Sequence, residues 1–336
     1  MKKIFDKIKL FFKENYKGIL ILVFIYVFCS YKLDFSIYSP GGLINMSDRI
    51  VSSDNIYESK GTINMTYVSL VKGTIPTYLL AKIIPTWDII PNEEITYDGD
   101  IDETIKIDQY HLKESISNAY MVAYNEAGVD YDIKKSNNYI TYIYEGAKTD
   151  LKLFDNIIKY DNIEFTTFSS MQEYVTSKSV GERVELLVNR NGKEIKCYAE
   201  LIDLNGDAKM GLSSAVVNEY DSEIDIDIKS KRAESGSSGG FMMSLAIYNA
   251  LTKDDITKGK TIAGTGTIDA NGNVGAIGGV IYKLSGAVKK GADIMLVPVD
   301  NYKEALEYKK KHNFDIELVS ISNFKEAIEY LNNWEV

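Results

Sequence analysis

Hydrophobic positions along this chain change period several times, and each change marks an element. Between Ile19 and Cys29 every residue is apolar or aromatic (Ile-Leu-Ile-Leu-Val-Phe-Ile-Tyr-Val-Phe-Cys), with Tyr16 and Tyr31 on either side. The preceding residues 1–17 carry lysines at 2, 3, 7, 9, 13 and 17 against Asp6 and Glu14. A basic segment, an apolar run and bracketing aromatics together predict a transmembrane anchor over residues 18–33 with a cytoplasmic N-terminus. The run is shorter than the ~20 residues of an ordinary span, so a cleaved signal peptide is the competing reading. No small-x-small cleavage site lies between Cys29 and Leu33, and Phe28 directly before Cys29 argues against a lipid-modified cysteine. The anchor is therefore the expectation, with the lipid bilayer as partner and the rest of the chain outside the cell membrane.

Beyond it, strand and helix patterns alternate. Gly61 to Ser69 reads as a strand, and Lys113 to Tyr124 as a helix with Ile116, Ala119, Tyr120 and Ala123 on one stripe. Tyr139-Ile-Thr-Tyr-Ile-Tyr144 alternates like a strand, Leu153 begins another, and Ser170-x-x-Glu173 predicts a capped helix through Val175. Glu185–Val188 and Ile195–Leu201 flank Asn191-Gly192, a hairpin that puts Ile195, Cys197, Ala199 and Leu201 on one face. In Asp221 to Ile228, isoleucines at 224, 226 and 228 alternate with acids, which marks a strand with one wet face rather than a calcium loop. At the end, strands at Ile294–Val299 and Ile316–Val319 alternate with helices at Tyr302–Lys310 and Asn323–Asn332, predicting an α+β fold with a mixed sheet.

The chain has 336 residues, room for two domains beyond the anchor. A net charge of −10 and a pI near 5.0 argue against nucleic-acid binding. Cys29 lies in the apolar run and Cys197 in a predicted strand, so no disulfide framework is expected. Metal-ligand spacing is absent, and no cofactor is expected.

Candidate chemistry is concentrated in Glu234-Ser-Gly-Ser-Ser-Gly-Gly240, which opens into the helix pattern Phe241–Leu251. Gly236, Gly239 and Gly240 permit positive φ and close approach of a substrate. A helix starting there aims unpaired N–H groups and a positive dipole end at the loop, as an oxyanion hole requires. By itself the loop better fits a glycine-rich turn with a capping serine, or a phosphate nest. The two histidines, His111 and His312, sit in polar segments with no triad-like arrangement. A desolvated lysine is another base for serine. Lys283 has Gly279, Val280, Gly286 and Ala287 at its helical neighbours and no carboxylate among them. Lys289 and Lys290, before Gly291, suit a helix C-terminus instead. Gly264-Thr-Gly-Thr267 lacks the third glycine of a dinucleotide fingerprint, Asn271-Gly272 signals a hairpin, and no Gly-x-x-x-x-Gly-Lys-Ser/Thr loop occurs, so no nucleotide is expected.

The order and spacing of these segments resemble the Lon-type serine peptidases. That family carries Gly-Pro-Ser-Ala-Gly before a helix, Thr-Gly in a strand, then Ile-Gly-Gly and a helix with the catalytic lysine. The matching stretches are Gly236-Ser-Ser-Gly-Gly240, Gly264-Thr-Gly-Thr267 and Ile277-Gly-Gly-Val-Ile-Tyr-Lys283. The resemblance implies Ser238 as nucleophile, Lys283 as general base and Thr265 as a supporting hydroxyl. Gly236, Ser237, Gly239 and Gly240 would complete the oxyanion loop. Ser237 stands where the family usually has proline, and Gly239 where it usually has alanine.

Residues 136–205 resemble a PDZ domain, on Asp155–Ile163 and Val184–Lys193. That resemblance implies capture of an extended peptide along an edge strand carrying Tyr139, Ile140 and Tyr142. The implied organisation is a basic segment (1–17), an anchor (18–33), the first part of a Lon-like domain (34–135), an inserted PDZ (136–205) and the catalytic part (206–336). The implied function is an ATP-independent, membrane-anchored serine endopeptidase acting on exported or membrane-proximal peptides. The alternative is a catalytically inactive extracellular PDZ scaffold on a peptidase fold.

Overall fold

The computed structural model describes residues 2–97, 100–165, 167–231 and 233–335, so Met1 of the basic segment lies outside the described residues. Helix α1 (Lys2–Ser30) runs through the apolar stretch and ends just before β1 (Lys32–Asn45). No helix among the described residues is long and apolar enough to cross a membrane. The span over 18–33 is therefore not supported: residues 32 and 33 are strand, and Ile19–Cys29 rises only about 16 Å as a helix.

Strand β1 pairs antiparallel with β2 (Thr62–Thr74), which leads into the short helix α2 (Ile75–Ala81). Thr74 caps α2 by accepting the N–H of Thr77. Strand β3 (Asp88–Pro91) covers the outer edge of β1. Helix α3 (Ile101–Ala127) is twice the expected length, because Asp100 caps its start and left-handed Gly128 its end.

The next elements are β4 (Tyr131–Ile143), β5 (Lys148–Thr149), β6 (Asn156–Tyr160), α4 (Phe168–Thr176), β7 (Arg183–Arg190), β8 (Lys193–Glu200) and β9 (Leu212–Ser222). Their strands form one sheet in the order β9-β4-β6-β7-β8-β5. Its span, 131–222, exceeds 136–205 because β9 returns to pair along β4. Helix α4 starts before Ser170, since extended Thr167 is the cap and its Oγ1 accepts the Ser170 N–H. The expected hairpin forms, with Asn191 and Gly192 both at positive φ. This module has its own core, including Ile140, Ile157, Val184, Leu186, Cys197 and Leu201. The Asp155 carboxylate is 1% exposed and receives two bonds from Arg190, at 2.7 and 2.6 Å.

The chain then re-enters the first sheet with α5 (Gly240–Leu251), β10 (Thr261–Gly264), α6 (Val280–Lys289), β11 (Ile294–Pro298), α7 (Val299–His312), β12 (Glu317–Ile321) and α8 (Phe324–Asn333). The expected single strand at 221–228 is broken in two: β9 ends at Ser222, and Ile226–Ile228 pairs with Ile50–Ser52. Strand β10 lies parallel to both β2 and β11, giving the mixed order β12-β11-β10-β2-β1-β3. This α+β sheet is covered on both faces. Along β11, Ile294 and Leu296 face the layer of α3, α5 and α8, while Met295 and Val297 face α6 and α7. Double coverage explains why β11 reads as an unbroken apolar run. Helix α5 is buried on nearly every side, which fixes the loop ahead of it against the core.

Candidate active site

Helix α6 packs Val280, Leu284 and Ala287 inward, and Lys283 shares that stripe at 3% exposure. Its Nζ donates to Thr265 Oγ1 at 2.9 Å. The Thr265 hydroxyl in turn donates to the Ser238 carbonyl at 3.0 Å, and the Gly266 N–H reaches the same carbonyl at 2.9 Å. Thr265, directly after β10, thus ties the lysine helix to the serine loop. Ser238, Thr265 and Lys283 are brought together from three separate segments. The link runs through the Ser238 carbonyl; among the described residues no hydrogen bond joins the Ser238 hydroxyl to Lys283. Burial alone pushes the Lys283 ammonium down to about 7, since the desolvated site disfavours the charged form.

In the loop, only Gly236 takes a positive φ, +88°, and its N–H donates to the Asp108 carbonyl at 2.9 Å. Gly240 is needed for another reason: a Cβ there would lie 2.1 Å from Ser115 Oγ. Ser115 itself donates to the Ser237 carbonyl at 2.9 Å. The Gly240 N–H is also engaged, by Ser237, so the expected oxyanion donors at 236 and 240 are occupied. Among the described residues, the N–H groups of Ser237, Ser238 and Gly239 have no partner, and the latter two precede the positive end of α5.

A groove of about 660 Å³ passes Ser238, with Met65, Val68, Leu70, Ile105, Leu112 and Met243 among its lining. At its rim Arg49 pairs with Glu234 at 2.8 Å and donates to the Lys229 carbonyl at 3.1 Å. Arg49 therefore holds the segment that enters the serine loop. Its role has no local sequence signal, because the partners are 185 positions apart. The histidines stand elsewhere: His111 lies 3.6 Å from Glu114 on α3, and His312 packs against Tyr308 and Phe314.

The expected edge strand requires correction. Strand β4, with Tyr139, Ile140 and Tyr142, is interior: β9 pairs along one side, and β6 meets Asn138 and Tyr139 on the other. Ile140 is core, Tyr139 packs on Tyr110, and Tyr142 on Tyr97 and Tyr144. The terminal strand is β9. A cavity of about 270 Å³ lies between α4 and the start of β9, lined by Tyr160, Phe168, Met171, Val175, Met210 and Leu212. Entering β9, the N–H groups of Met210 and Gly211 have no partner among the described residues, and Gly211 is left-handed. Farther along, the edge is closed: the N–H of Val216 donates to Glu114 Oε1 and that of Asn218 to Ser117 Oγ, both at 2.9 Å. The sequence signal for this site was the Met210-Gly211-Leu212 turn, which pattern alone does not separate from an ordinary loop.

Residues 208–332 match the Lon protease (S16) C-terminal proteolytic domain, a stretch that contains Ser238, Thr265 and Lys283. This part of the chain is similar to the proteolytic domain of Lon-type serine peptidases, and the match covers well under half of the chain. Lon protease 2 of Bacillus subtilis (strain 168) is 39% identical over 72 residues, 21% of this chain and only 13% of that protein's length. The PDZ domain of the SdrC-like protein from Listeria monocytogenes is 19% identical, covering 25% of this chain and 92% of its own, with a TM-score of 0.23. That of Listeria innocua is 23% identical over 23% of this chain and 92% of its own, with a TM-score of 0.22.

Proposed function

We propose that the protein is an ATP-independent serine endopeptidase acting through a Ser238–Lys283 dyad on exported or membrane-proximal peptides at the cell membrane, with its catalytic domain outside. The carrying observation is a lysine that is buried, has its pKa lowered to about 7 and is bonded to Thr265, whose hydroxyl holds the Ser238 residue. Ser238 Oγ attacks the scissile carbonyl while neutral Lys283 takes its proton. The N–H groups of Ser238 and Gly239 stabilise the oxyanion of the tetrahedral intermediate. As the intermediate collapses, Lys283 returns the proton to the leaving amine, then draws one from the water that cleaves the acyl ester. Thr265, as acceptor from Nζ, keeps the amine oriented. The apolar groove receives substrate side chains, and the cavity between α4 and β9 holds an extended peptide segment beside Leu212 to Ala215.

A second reading, an inactive scaffold, is favoured by the missing bond between the Ser238 hydroxyl and Lys283. Such nucleophile–base bonds often form only when substrate is bound. The test is mass spectrometry of peptides released by cells carrying the native protein or Ser238→Ala. Loss of a few fragments with accumulation of their precursors is the expected outcome. Identical profiles, with all cellular roles retained by Ser238→Ala, would establish the scaffold.

A further inference from the structure

Helix α2 has no buried residue, although it is almost wholly apolar (Ile75-Pro-Thr-Tyr-Leu-Leu-Ala81). Tyr78, Leu79 and Leu80 are exposed in succession, and Ile83 just beyond is 75% exposed. A stretch this apolar, with no core beneath it, requires a covering partner. Its neighbour identifies which kind. Helix α2 touches the end of α1, whose apolar residues from Leu20 to Val27 are exposed on every side of the helix. A protein groove covers one face of a helix, whereas acyl chains at a bilayer boundary can meet apolar residues on any side, even of a helix too short to cross. The rim has interfacial chemistry as well: Lys82 lies over the Tyr78 ring at 5.3 Å, and Phe35 packs on that ring at 5.7 Å. The lysine-rich start of α1 suits anionic headgroups. Asp34 and Asp88 are the nearby acids on β1 and β3, and Lys72 is neutralised by Asp102.

We propose that α2 with Ile83 is a second lipid-contact element, resting in the boundary of a bilayer beside the exposed run of α1. Leu70, exposed on the strand that leads directly into α2, also lines the groove at Ser238, so docking would set that groove near the membrane surface. The inference gives physical form to the membrane-proximal part of the proposed function, and it does not depend on the peptidase chemistry.

The test uses the full chain with vesicles of phosphatidylcholine and phosphatidylglycerol. A Leu79→Trp variant is expected to lose about half or more of its added emission when the acyl chains are brominated, as for an interfacially buried ring. Leu79→Glu with Ile83→Glu is expected to raise the lipid needed for half-maximal sedimentation about tenfold, and to leave hydrolysis of a soluble peptide unchanged. Ser238→Ala should be quenched like the native chain, so a failed peptidase reading leaves this result intact. Unquenched Leu79→Trp in a chain that still sediments would overturn the proposal. So would a native chain that does not sediment, or glutamate variants that bind as the native protein does.

Discussion

Lys283 allows the catalytic reading to be tested quantitatively. Its shift from 10.5 to about 7 corresponds to about 5 kcal/mol of disfavour for the ammonium form. At pH 7 about half of the folded molecules then carry a neutral amine, against about one in three thousand for a free lysine. The rate of Ser238 acylation, followed with labelled unfolded casein or a serine-directed fluorophosphonate, should rise about tenfold per pH unit below about 6.5 and level off above about 8. Stability carries the same signature. Between about 7 and 10.5 the unfolded chain holds a proton that the folded chain has released. Unfolding takes up a proton there, so stability rises with pH across that window, by at most about 5 kcal/mol from this group. Below it both states are charged and the burial cost is felt in full. Lys283→Met removes that cost and the base together. It should be inactive, yet at about pH 6 it should unfold at higher urea than the native chain. A flat rate between about pH 5.5 and 8, or a Lys283→Met variant keeping a tenth of native activity, would refute the reasoning.

Other expectations follow from particular contacts. Thr265→Val deletes the acceptor of Lys283 and the donor to Ser238, and should lower kcat by about ten- to a hundredfold with the pH midpoint moved down, read from the same assay. Gly240→Ala places a Cβ 2.1 Å from Ser115 Oγ, so it should displace the loop and cost about 1–3 kcal/mol in urea unfolding. Arg190→Ala leaves the buried Asp155 carboxylate without its cation, and should destabilise the sheet module of residues 131–222 by about 3–5 kcal/mol, seen by hydrogen exchange. Arg49→Ala and Glu234→Ala should each lower kcat more than they raise KM, and a double-mutant cycle should show their effects to be strongly non-additive.

Legibility differed by element for physical reasons. The hairpin at Asn191-Gly192 and the helix caps depend on contacts a few residues apart, so local pattern carries them; even so, the start of α4 shifted because Thr167 competes with Ser170 as cap. The apolar run at 19–29 read as a span because hydropathy does not reveal that β1 begins at Lys32. Strand β4 read as an edge because alternation is a property of one strand, whereas edge position depends on which strands return to it.

Sequence alone determined which residue types stand ready for acyl chemistry: a serine in a glycine-rich loop at a helix start, a lysine among small apolar neighbours and a hydroxyl between them. It also determined the alternation that makes a mixed sheet. Only tertiary structure decided that Lys283 is buried and its ammonium pushed down to about 7, since desolvation comes from the layers packed around α6. Tertiary structure likewise decided which loop N–H groups remain open, because Asp108 and Ser237 take those of Gly236 and Gly240. The terminal strand of that sheet proved to be β9 and not β4 on the same grounds. Pairing across long separations is a choice among partners, and a residue's own neighbours do not carry that choice.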